Sequence, residues 1–375
     1  MRCNIMTEKS EHFHGSDLEK IEEIYHIPRE EITSFAANVN PIGISPKLRT
    51  TLAQHIDDIT GYPEREYTSL RKCIASYVDT DFKNIIVGNG STELISLFIQ
   101  ILKPHKALIL GPTYSEYERE VTLAGGTSRY YRLDESHGFS IHVDALSRQL
   151  NETIDLLIIC NPNNPTSTAI SRSDMRQILD TCKENGIYVL VDETYVEFAE
   201  NLQDITAIPL AQYYNNIIVL RGISKFFAAP GLRLGYAVCG NRDLIKEVVG
   251  HQDPWTINTL AAIAGEIMFT DEDYIARTRQ LISSERERIC KTLDNFSSVT
   301  YYPPKANFIL LKILRDDVTA MDVFEAAIQK KLMIRDCSDF PFLNNKYFRF
   351  CIMMPDKNDE LLAVCLLYTS PSPRD

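Results

Sequence analysis

The chain has 375 residues, 44% of them hydrophobic and 24% charged, and carries a formal net charge of −12. That length allows two or three domain-sized units with ample core, and the acidic balance argues against nucleic acid or a polybasic membrane patch as partner, since both need clustered Lys and Arg. The nine cysteines form no C-x-x-C pair, the opening MRCNIMTEKSEHFHG lacks a signal-peptide core, and no run approaches the about 18 apolar residues of a membrane helix, so a cytoplasmic protein with free thiols is expected.

In chain order, residues 84–87 (NIIV) predict a strand, Gly88-Asn89-Gly90 a turn, and 91–102 an apolar helix. Strands follow at 106–110 and 155–160, the second ending in a loop rich in Asn and Pro. A helix is predicted over 172–185 with Gly186 as its stop, then strands at 188–192, 216–221 and 234–239. These strands are almost wholly apolar, as in strands covered on both faces, so a mostly parallel sheet between helices, an α/β fold, is expected. From about Trp255 the pattern changes to a long helix from 258 through 282 and beyond, strands at 308–313 and 347–352, and a helix at 321–331, reading as a smaller α+β domain. The expected division is an N-terminal arm with part of the small domain (1–45), a large domain (46–255), and an interdomain helix with the small C-terminal domain (256–364). Residues 365–375 (CLLYTSPSPRD) read as a translated sequencing-library adapter, replacing a native C-terminal helix that starts near Asn358.

The chemistry concentrates at residues 224–233 (SKFFAAPGLR). A Lys directly after a buried strand is unusual, and a Lys of depressed pKa is a nucleophile toward aldehydes. Arg233, beyond a Pro-Gly turn, offers a fork suited to phosphate, and Ser224 adds a hydroxyl. Asp192 ends an apolar strand at the edge where open α/β sheets bind ligands. Gly90, Ser91 and Thr92 open a helix whose N-terminus can hold an anion, without the signature of a Walker or dinucleotide loop. The pair His12 and His14 lacks a third ligand cluster, so no metal is expected.

Together these segments resemble the pyridoxal 5′-phosphate (PLP)-dependent aminotransferases of fold type I, class I/II. The family's S-K-x-x-x-x-P-G-L-R is matched in full at 224–233, its D-E-x-Y at 192–195, and its N-P-N-N-P-T-G at 161–167 except that Ser167 replaces the final Gly. The resemblance implies that Lys225 is the Schiff-base lysine and catalytic residue, and that Asp192 pairs with the pyridine nitrogen. It implies that Tyr195 and Asn164 bond the phenolic oxygen, and that Gly90, Ser91, Thr92, Ser224 and Arg233 hold the phosphate. Tyr114 would stack on the ring, with Tyr117 as the alternative. Tyr62, in Gly61-Tyr62-Pro63, would reach the cofactor phosphate of a neighbouring subunit, implying a homodimer with shared sites.

The reaction is read from the ends of the chain. His14-Gly15, residues 35–43 (FAANVNPIG) and 254–258 (PWTIN) resemble the threonine-phosphate decarboxylases of cobalamin synthesis, relatives of the histidinol-phosphate aminotransferases, which carry N-E-N-P-Y-G-type segments instead. By that resemblance the substrate phosphate meets His14, Gly15, Asn38 and Arg335, while Arg349, with Asn164, takes the carboxylate. The bond at Cα that stands perpendicular to the cofactor ring is the one that breaks, so the grip on substrate decides between decarboxylation and transamination. Decarboxylation of a phosphorylated amino acid is the preferred expectation. Transamination uses the same residues and stays open.

Overall fold

The computed structural model describes Phe13, Gly15 and residues 17–369. Near the start, Thr33–Ser34 (β1) forms a short extended segment. A seven-stranded sheet follows, from Ile85–Gly88 (β2), Lys106–Gly111 (β3), Thr127–Arg132 (β4), Leu156–Cys160 (β5), Tyr188–Asp192 (β6), Ile217–Gly222 (β7) and Gly235–Cys239 (β8). Its order is β2-β8-β7-β6-β5-β3-β4, with β8 antiparallel to both neighbours and every other pairing parallel. That topology brings Gly88, Gly111, Cys160, Asp192 and Gly222 to one edge, where β8 also begins at Gly235.

Alternate residues of these strands feed two cores. Leu157, Val189 and Val219 pack on one face, while Ile158, Leu190 and Ile218 pack on the other, all essentially without solvent contact. Such a side chain contributes roughly 1.5–3 kcal/mol through burial, which is why these strands show no polar alternation. Helices cover both faces. Arg172–Glu184 is capped by Ser171, whose side chain accepts from the Asp174 amide, and buries Met175, Ile178, Leu179 and Cys182 at helical spacing. Ser91–Leu102 likewise buries Leu94, Ile95, Phe98 and Ile99.

The remaining strands are Val299–Tyr301 (β9), Phe308–Ile313 (β10), Leu332–Met333 (β11), Arg335–Asp336 (β12) and Tyr347–Cys351 (β13). Four of them form an antiparallel sheet of order β12-β13-β10-β9, whereas β11 pairs in parallel with β1, tying residues 33–34 to the C-terminal part. The helix Ala320–Ile328 lies beside this sheet, started by a capping box between Thr319 and Asp322. The last helix, Pro355–Thr369, runs across the boundary at 365, and Cys365 is buried.

Besides the short strands β1, β9, β11 and β12, which the sequence did not reveal, a helix and an edge strand differ from the sequence-based expectation. The predicted helix from 258 is two, Thr259–Met268 and Glu272–Leu293, because Asp271 caps the second by accepting from the Tyr274 amide. The strand Thr127–Arg132 (TSRYYR) was not predicted; it closes the sheet edge, is largely open to solvent, and so lacks the apolar run that marks its neighbours.

Candidate active site

The sheet edge opens into a cavity of about 240 Å3. Lys225 enters it from the loop after β7, and its Nζ donates to the Ala37 carbonyl at 2.8 Å. Burial pushes the ammonium down to about 8, helped by the nearby Arg349 and, more weakly, Arg233. The lysine therefore loses its proton far more readily than an ordinary lysine, as a nucleophile or proton carrier requires.

One wall is an anion cradle. Ser91 and Thr92 line the cavity at the start of Ser91–Leu102, as do Ser224 and Arg233. No side chain caps this helix, so its first amides stay open to a ligand. Gly90 has φ 83°, and a Cβ there would run into the Arg233 guanidinium, whose Cζ would lie at 2.9 Å. Gly235 is needed for the same close approach, since its Cβ would meet the Gly90 carbonyl carbon at 2.6 Å. Gly90 thus supports the cradle without lining the cavity.

The opposite wall carries the groups at the ends of β5 and β6. Asp192 Oδ1 accepts from the Thr194 amide (2.9 Å) and hydroxyl (2.6 Å), and its Oδ2 accepts from Tyr117 Oη (2.7 Å). Tyr117 is almost fully buried, and its hydroxyl is committed to Asp192; Tyr114 stands edge-on to it at 5.6 Å between centroids and faces the cavity. Burial pushes the Tyr195 hydroxyl well above its usual range, against the opposing pull of Arg349 and of Asn38, whose Nδ2 donates to it at 3.3 Å. Asn164 Oδ1 accepts from Arg349 Nη1.

Arg335 and Arg349 are direct cross-strand partners on β12 and β13, so their side chains share one face. Arg349 is buried; its Nη2 donates to the Ala36 carbonyl at 2.9 Å, and its Nε has no partner. Arg335 donates to the Phe13 carbonyl at 3.0 Å and to Asp339 at 2.6 Å. Gly15 and Asn38 line the same space, and Gly15 is packed so tightly that a Cβ would meet the Ala37 nitrogen at 2.9 Å. His14 lies outside the described residues. Tyr62 is not brought into the cavity: it is 81% exposed and packs on Trp255 at 4.6 Å. Sequence reasoning missed Tyr117 as the partner of Asp192, and it missed Thr113, the carbonyls of Ala36 and Ala37, and Asp339.

The donor set fits PLP. A depressed amine, an uncapped helix N-terminus with an Arg beside it and a fixed carboxylate all line one cavity. Buried polar atoms at Asn38 Oδ1, Thr113 Oγ1 and Arg349 Nε, all on cavity-lining residues, have no partner, and orphaned groups of this kind mark a ligand site.

Comparison with known proteins agrees. The family model for aminotransferase class I and II matches residues 30–364. A threonine-phosphate decarboxylase of Salmonella typhimurium is 32% identical over 350 residues, spanning 93% of this chain and 94% of that protein. A histidinol-phosphate aminotransferase of Ruminiclostridium cellulolyticum is 30% identical over 339 residues, spanning 88% of this chain and 91% of its own length. The crystal structure of the histidinol-phosphate aminotransferase from Clostridium acetobutylicum superposes with a TM-score of 0.83 at 28% identity, covering 89% of this chain and 98% of that one. With the lysine, carboxylate and anion cradle converging on one cavity, the chain belongs to the class I and II aminotransferase family, and its cofactor is pyridoxal 5′-phosphate.

Proposed function

We propose that the protein decarboxylates L-threonine O-3-phosphate or a closely similar phosphorylated amino acid, with Lys225 as its catalytic residue. The observation that carries this reading is the cross-strand pair Arg335 and Arg349 on the wall of the Lys225 cavity. Two guanidinium forks side by side suit a substrate with two anionic groups. Arg349, open at Nε and beside Asn164, takes the carboxylate; Arg335, with Gly15, Asn38 and His14, takes the phosphate. The resemblance to the Salmonella enzyme supports the same choice.

PLP, when bound, supplies an electron-withdrawing ring that accepts the electron pair left at Cα. Asp192 would hold its ring nitrogen, Tyr195 and Asn164 its phenolic oxygen, and Ser91, Thr92, Ser224 and Arg233, with Gly90 shaping the turn behind them, its phosphate, while Tyr114 would cover its face. Gripping the substrate at both ends removes rotation about Cα, so the two arginines decide which bond is presented for cleavage. Lys225, whose ammonium burial makes more acidic than an ordinary lysine, returns a proton to Cα. The enclosing residues 36–38 keep bulk water from that carbon.

A second reading, transamination of histidinol phosphate, is favoured by the TM-score of 0.83 to the Clostridium enzyme. There Arg349 would serve the carboxylate of the amino-group acceptor. Incubation of the holoenzyme with threonine phosphate, and separately with histidinol phosphate plus 2-oxoglutarate, separates the two. Carbon dioxide from the first is the expected result; glutamate from the second alone overturns the decarboxylase reading.

The reading extends to a cytoplasmic homodimer in which Tyr62 reaches the cofactor phosphate of the neighbouring subunit. In support, Tyr62 is exposed and packs on the exposed Trp255, and Ile56 and Ile59, a few residues before it in the chain, are exposed as well. Among the described residues no helix is long and apolar enough to cross a membrane. It also divides the chain at 45 and 255, supported by the confinement of the seven-stranded sheet to 85–239 and the pairing of β1 with β11.

A further inference from the structure

We propose that Asp339 is a specificity-determining residue, a resident carboxylate that occupies the Arg335 fork until the distal anion of the substrate displaces it. This rests on the reading above, in which the substrate carries a second anionic group.

Of the three arginines that line the cavity, the cross-strand pair Arg335 and Arg349 are in unlike states. Arg349 meets only neutral oxygens, of Asn164 and Ala36, and keeps an unpartnered Nε. Arg335 is already paired: its Nη2 donates to Asp339 Oδ2 at 2.6 Å, its Nη1 to the Phe13 carbonyl at 3.0 Å, and Phe340 lies against its face at 5.3 Å. The Arg335 side chain is only 8% exposed, whereas that of Asp339 is 35% exposed. The arginine is fixed and the carboxylate has solvent to withdraw into. Asp339 sits in the loop between β12 and β13 and lines the cavity itself. Any group that reaches the Nη2 side of the fork therefore takes the place of its carboxylate.

Only an anion can make that exchange. A phosphate dianion offers more charge and more acceptor oxygens than a carboxylate and forms the stronger bidentate pair with a guanidinium. An uncharged distal group would leave the ion pair closed and gain nothing from Arg335. Asp339 thereby sets a threshold for the distal subsite, at some expense in affinity for the substrate that crosses it. A partly exposed ion pair is weak, so removing the competitor is expected to tighten binding only about two- to fivefold.

The test uses inorganic phosphate titrated calorimetrically into the holoenzyme, in which PLP already fills the cofactor phosphate cradle. D339N and D339A should bind phosphate about two- to fivefold more tightly than wild type. The KM for threonine phosphate should fall in step, with kcat changing less, and R335Q should lose phosphate binding. Equal or weaker binding in D339A, with R335Q still deficient, would mean that the carboxylate props the fork rather than competing for it. That outcome overturns the proposal and leaves the reading of Arg335 intact. Phosphate binding unchanged in R335Q overturns both.

Discussion

Lys225 stands where burial and two guanidinium groups all oppose its positive charge. Its folded value lies below the 10.5 of the free side chain, so the folded state is penalised whenever the amine is protonated. That penalty is fully present below about pH 8 and is relieved as pH rises from there toward 10.5. Lys225→Met should accordingly stabilise the cofactor-free protein at pH 7 by about 1–3 kcal/mol, an advantage that fades through this window in chemical denaturation. The rate at which cofactor-free protein takes up PLP should rise with a midpoint near pH 8. Lys225→Ala should abolish the visible band that borohydride bleaches in the wild type, together with turnover. Lys225, Asp192 and Asn164 were legible because each sits in a contiguous motif with its neighbours in sequence. The bond from Tyr117 to Asp192 spans 75 residues, and nothing local marks it. Tyr117→Phe should weaken PLP binding about threefold to tenfold by freeing one acceptor of Asp192, as read by equilibrium dialysis.

The helix Ser91–Leu102 shows how an element can be read from sequence and still hide its function. Its bounds follow from the turn residues before it and the apolar run within it. Its missing cap and the tight seat of Gly90 against Arg233 are tertiary facts. Gly90→Ala would combine a left-handed φ with that collision, so a loss of at least tenfold in PLP affinity is expected, with the secondary structure retained by circular dichroism. The buried strands were legible for the reason that the edge strand was not: being covered on both faces leaves an apolar signature, whereas Thr127–Arg132 meets solvent and reads as loop. The break between Thr259–Met268 and Glu272–Leu293 was hidden because both helices keep enough apolar residues to look continuous, and only the capping role of Asp271 separates them. In the small sheet, β12 is two residues long, too short for a sequence pattern, yet it places Arg335.

At the scale of the whole molecule, the shared-site reading makes its own prediction. If Tyr62 serves the neighbouring subunit, Tyr62→Ala and Lys225→Ala chains, each impaired alone, should recover activity when refolded together. Random pairing would restore about a quarter of the wild-type sites, since half of the dimers are mixed and each has one intact site. No recovery in dimers shown by sedimentation to be mixed would count against sharing. What sequence could not convey at this scale is the strap formed by residues 35–40, which crosses the cavity between the two parts of the chain. Ala36 accepts from Arg349, Ala37 from Lys225, and the Asn38 carbonyl from Asn307, while the Asn40 amide donates to the Lys225 carbonyl at 3.0 Å. The Asn40 side chain is held in turn by Tyr274, Thr278 and the Phe226 carbonyl. One backbone amide is thus locked to Lys225, and its deuterium uptake works as a clock: it can exchange only when the strap lifts, so its lifetime counts openings of the site without any substrate having to turn over.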